Sequence, residues 1–158
     1  MNSLMVLLAV LSVGRSVATI DAPEPMLSAV AMEACEEYGE AYGICPEFLM
    51  AVVETESSGK AYAENGGCKG LMQISTKHHA DRMERLGVSD IYDERGNILV
   101  GTDYLAELFD EYEEASLVLD VYNGNSKAKS NYENGILSEY AGKILDRSEE
   151  LERLHGKW

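Results

Sequence analysis

The stretch "AVVETESSGK", residues 51–60, carries two glutamates, Glu54 and Glu56, at the end of an apolar run. Upstream, Pro46 suits the first turn of a helix, and the helical pattern from there runs to about Ser57. At ~100° per residue, Leu49, Val52, Val53 and Glu56 share a face, so Glu56 continues a buried stripe. Glu54 lies ~160° away, beside Glu47, Met50 and Ser58, and is expected to face out and to tolerate replacement. Carboxylates so opposed cannot converge on one metal ion, and no metal site is expected. A carboxyl ending an apolar face is partly desolvated, which raises its pKa and lets it hold a proton near neutrality. On this stretch alone, Glu56 is either such an acid or a side chain leaving the core at a helix end.

Beyond this helix the periodicity is helical almost throughout. A first helix is expected from Met26 to about Tyr42, broken by Gly43. Ser75 or Thr76 is expected to cap another that reaches Leu86 and stops at Gly87. Residues from about Asn97 to Tyr112 put Leu105, Leu108 and Tyr112 on one face. "ASLVLDVY" follows, Ser126 is expected to open a short helix, and the last runs from about Leu137 to Leu154. Alternating strand patterns are missing. The expected fold is all-α, a bundle of six or seven short helices with minimal or no sheet.

The chain has 158 residues, enough for one domain, and a net charge of -15. Such acidity argues against nucleic acid and against anionic membrane surfaces as partners. "LMVLLAVLSV" is too short to span a bilayer comfortably, and "RSVA" after it suits cleavage following Ala18. The expected layout is a signal peptide at 1–18, a spacer at 19–25 and one domain at 26–158. Export and a mature monomer without a membrane segment are expected. Three cysteines, Cys35, Cys45 and Cys68, read most simply as one disulfide and one free thiol. Three unpaired thiols are the alternative.

Fourteen residues past Glu56 stands "GLMQIS", residues 70–75. "AVVETES", "GLMQI", "GNILVGTDYL", "LVLDVYNG" and "EYAGKIL", in this order, resemble the catalytic domain of the lytic transglycosylases, in their soluble-transglycosylase family. The resemblance spans roughly Ile44 to Leu145. It implies a lysozyme-like, mostly helical fold around a glycan-binding cleft, with cleavage of the β-1,4 bond between N-acetylmuramic acid and N-acetylglucosamine in peptidoglycan. It assigns Glu56 as the catalytic acid and Ser57 as the serine beside it. Gly70, Met72 and Gln73 match the motif that lines the cleft. Tyr122 matches a tyrosine near the catalytic carboxyl, Asn123 a sugar-binding asparagine, and Tyr140 an aromatic facing the site. Asn97, Gly101 and Leu105 match positions that are mainly structural.

The chain departs from the family where Ser58, Gly59 and Lys60 replace an aromatic and an Asn-Pro pair, and where Asn65 stands in place of a serine that contacts the acetamido group. An Asn amide also hydrogen-bonds, so Asn65 is kept as a substrate contact. No cofactor is implied. A hydrolytic muramidase and a non-catalytic wall-binding module of the same fold are the alternatives. Cys45 with Cys68, flanking the active-site helix and loop, is the favoured pairing, followed by Cys35 with Cys45. The adjacent His78 and His79 read as surface residues, and Asp110, Glu111, Glu113 and Glu114 as a solvated helix end.

Overall fold

The computed structural model describes residues 23–157; the expected signal peptide and the first part of the spacer lie outside the described residues. Seven helices and a small sheet follow in the order α1 (Ala29–Tyr42), α2 (Pro46–Ser57), β1 (Glu64–Asn65), β2 (Cys68–Lys69), β3 (Ile74–Ser75), α3 (Ala80–Leu86), α4 (Glu94–Tyr112), α5 (Ala115–Tyr122), α6 (Ala128–Glu133) and α7 (Glu139–Leu154). The architecture is an all-α, lysozyme-like bundle.

The central element is α2. Phe48 through Val53 are all buried, so this helix is surrounded rather than amphipathic. α1 and α7 pack against it, α4 packs on α1 and α5, and α5 closes on α7. Leu105 of α4, Leu119 of α5 and Ile144 and Leu151 of α7 are fully buried in the resulting core. Each such side chain contributes roughly 1.5–3 kcal/mol relative to exposure.

Caps set the helix ends more sharply than apolar periodicity does. α1 starts after Ser28, whose Oγ accepts from Ala31 N at 3.0 Å. α4 starts after Asp93, which accepts from Gly96 N at 2.7 Å, and α7 after Ser138, which accepts from Ala141 N at 3.0 Å. Each bond satisfies a backbone donor that the helix itself leaves unpaired. α3 begins later than expected because Ser75 is held in β3, and its end at Gly87 is a left-handed cap.

The sheet is an addition to the helical expectation. Its strands have two residues each and pair antiparallel in the order β1-β2-β3, with Glu64 opposite Lys69 and Cys68 opposite both Asn65 and Ser75. Two-residue strands are too short to show alternation, so the sequence carries no periodic mark of them.

Three expectations are corrected. The Cys45–Cys68 disulfide is not formed: all three cysteines are free. Cys45 precedes the first turn of α2, while Cys68 sits in the hairpin beyond its last turn, and a twelve-residue helix separates its ends by ~18 Å. Glu54 does not face solvent freely. It pairs with Arg147 of α7, Nε to Oε2 at 2.7 Å, and accepts from Met26 N at 2.8 Å. His79 is half-buried, its ring 4.5 Å from that of Tyr104, so it is not a simple surface residue.

Candidate active site

Glu56 lies in the last turn of α2, half-buried. Burial pushes its carboxyl above the ordinary carboxylate range, and a hydrogen bond from the Tyr140 hydroxyl to Oε1 offsets part of that rise. No other carboxylate among the described residues perturbs it. Tyr140 is brought here by the start of α7. Ser138 caps that helix and also donates to buried Asp120 of α5, which fixes the first turn of α7 against α5. Burial, then the Glu56 charge, holds the Tyr140 phenol far above its usual value, so it acts as a donor and stays protonated.

The loop from Gly70 to Gln73 forms the neighbouring wall. Asn97, fully buried in α4, accepts from Met72 N at 2.7 Å and donates to Lys69 O at 2.9 Å and Ile91 O at 2.8 Å. Three polar bonds satisfy an amide that would otherwise be costly to bury. Gly70 has φ +78, and a Cβ there would overlap the Asn97 amide, so only glycine fits against it. A side chain at Gly101 would likewise run into Met72.

Tyr122 closes the set from the end of α5. Its hydroxyl donates to Met72 O at 2.8 Å, and burial followed by the nearby Glu56 charge raises its pKa well above the usual value. Its ring lies 5.3 Å from Tyr104, which in turn meets His79. Burial and Arg82 hold His79 below the ordinary imidazole value. This aromatic row on α4 and the start of α3 had no motif to reveal it in the sequence.

The other expected contacts divide. Ser57 is buried and its hydroxyl donates back to Val53 O at 3.1 Å, so it serves its own helix. Met72 is fully buried, and it is its carbonyl, not its thioether, that meets the Tyr122 hydroxyl. Gln73 has a left-handed backbone, φ 50, and its amide donates to Gly70 O at 2.9 Å and Ala63 O at 3.2 Å, which ties the loop to the hairpin. Asn65 and Asn123 are exposed, on β1 and at the C-cap of α5.

A helical bundle with one desolvated glutamic acid ending its central helix, beside a short antiparallel hairpin, has the layout of lysozyme-like domains. The chain belongs to the transglycosylase SLT domain family, whose model matches residues 33–138. It is also 32% identical over 105 residues to a protein named "Transglycosylase" from Enterobacteria phage PRD1, a match covering 66% of this chain and 37% of that protein. The chain therefore spans well under half the length of this relative. No helix among the described residues is long and apolar enough to cross a membrane.

Proposed function

We propose that this protein is a peptidoglycan lytic transglycosylase that cleaves the β-1,4 bond between N-acetylmuramic acid and N-acetylglucosamine outside the cytoplasm. The observation that carries the reading is Glu56, a carboxyl whose pKa burial raises, hydrogen-bonded by Tyr140, with no second carboxylate among the described residues perturbing it. Glycosidases of the ordinary kind need two carboxylates flanking the bond. One suffices when the substrate supplies the nucleophile.

Protonated Glu56 donates its proton to the glycosidic oxygen as the C1–O4 bond breaks. The muramyl acetamido oxygen attacks C1 and forms a bond there. Glu56, now a carboxylate, removes the proton of the C6 hydroxyl, whose oxygen displaces the acetamido oxygen and closes a 1,6-anhydro ring. Glu56 ends protonated, and no water is consumed. Gln73, Asn65 and Asn123 are assigned to sugar contacts, and Tyr122 to holding the Met72 carbonyl beside the acid.

Digestion of purified peptidoglycan followed by mass spectrometry tests this. Anhydro-muropeptides are expected, each lighter by one water than a hydrolysed product. Hydrated products would make the protein a muramidase, and binding without release would make it a non-catalytic module. Glu56→Gln is expected to lower turnover by ~10²–10⁴, the usual share of a general acid. Wild-type turnover in that variant would sink the assignment.

A further inference from the structure

A groove of about 670 Å³ opens between the N-terminal end of α2, the C-terminal half of α4 and α7. Glu56 takes no part in it. Cys45, which lines the groove, and Glu56 stand at opposite ends of α2, ~16 Å apart along its axis. The floor is apolar, made by Ile44, Phe48, Phe109 and Leu145, with the two phenylalanine rings 5.7 Å apart. Ala106 and Ala115 keep the α4–α5 side open.

The rim has one sign of charge. Asp110, Glu149 and Glu152 surround the apolar floor, and no Lys or Arg lines the groove. Glu149 is paired with Arg153, whereas Asp110 and Glu152 have no salt bridge among the described residues. The end of α4, which supplies Asp110, carries the same sign. α4 ends in Asp110 and Glu111 without a basic residue in its last turn, and Glu113 and Glu114 follow. Carboxylates at a helix C-terminus oppose the helix dipole, so folding alone favours Lys or Arg there. Acids held at that cost, next to an apolar groove, suit a cationic ligand. A second copy of this chain is disfavoured, because its net charge of -15 would bring acid against acid.

We propose that this groove docks the apolar face of a basic amphipathic segment of a partner protein. The mode is a helix laid into a groove, with apolar anchors against Ile44, Phe109 and Leu145 and Lys or Arg over Asp110, Glu149 and Glu152. The surface is separate from Glu56, so it recruits or places the enzyme without entering its chemistry.

Calorimetric titration of the full chain with a synthetic leucine–lysine amphipathic helix, and with its leucine–glutamate counterpart, tests the proposal. The lysine peptide is expected to bind and the glutamate peptide not. Ala106→Trp, which fills the groove, and the combined Asp110→Asn, Glu149→Gln, Glu152→Gln variant are each expected to weaken binding by about tenfold or more, a loss of about 1.4 kcal/mol or more. Release of muropeptides should be unchanged in both. If Ala106→Trp fails to fold, Ala106→Leu takes its place. No binding, equal binding of both peptides, binding indifferent to the groove filling, or a self-dimer that the filling abolishes would each overturn it.

Discussion

At the scale of single residues, the proposed chemistry rests on Glu56 and the Tyr140 hydroxyl bonded to it. Burial raises the Glu56 pKa above its ordinary value, and in the proposed reaction its acid form donates the proton. Activity is therefore expected to fall as pH rises through that elevated pKa. The Tyr140 hydrogen bond favours the carboxylate, so Tyr140→Phe is expected to move the alkaline limb of the pH–rate profile further up. It should also cut turnover by about tenfold, the equivalent of one charge-assisted hydrogen bond. An unmoved limb would remove Tyr140 from the proton economy of the site. Stability moves in the same direction as activity and declines as pH rises through that pKa. An ionised Glu56 is disfavoured in the fold, so Glu56→Gln should melt at the same temperature as the native protein or higher at alkaline pH. Ser57 and Met72 teach a different lesson. Both stand inside matching motifs, yet the hydroxyl of one and the thioether of the other are buried in local packing. A motif locates the backbone of a site, and only packing tells which atoms reach it.

At the scale of elements, α2 was legible in part. Its bounds follow from Pro46 at the start and the loss of apolar residues after Ser57, both local signals. Its surroundings were not. The face expected to be polar carries Met50 and Glu47, which are both buried, and Glu54, which is held by Arg147. Those partners lie 93 residues away for Glu54 and 108 and 110 residues away for Glu47, beyond any periodicity. The pair joins α2 to α7 next to the turn that bears Glu56. Both side chains are largely buried, at 12% and 15% exposure, so removing Glu54 leaves Arg147 only the more exposed Glu150 and the Pro23 carbonyl as partners. Glu54→Ala is expected to cost about 3 kcal/mol in chemical denaturation, where an exposed glutamate would cost under about 0.5 kcal/mol. A change within that smaller range would show the pair to be solvated. The hairpin, with two residues per strand, was equally hidden.

At the scale of the whole molecule, the C-terminal residues fasten the bundle through one buried acid. His155 Nδ1 and Lys157 Nζ each lie 2.8 Å from Glu47, and Cys45 donates to it at 3.1 Å. Burial alone would raise the Glu47 pKa, but these donors outweigh it and hold the carboxyl at about 2. A depressed carboxylate stabilises the fold above its unfolded pKa and ceases to do so as pH falls through the folded one. Stability is therefore expected to decline between about pH 4.5 and about pH 2, more steeply in the native protein than in Glu47→Gln. Thermal melts across that window check it, and parallel declines would detach the acid sensitivity from Glu47. The sequence by itself determined the helical class, the order of the helices, and the span of α2 and α5. These rest on periodicity and turn chemistry, which act over a few residues. The tertiary structure alone decided that Tyr140 meets Glu56, that Asn97 holds the Met72 loop, and that Glu54 and Glu47 are tied to α7 and the residues after it. Those contacts join positions from 25 to 110 residues apart. They depend on side chains converging in space, which no local pattern encodes.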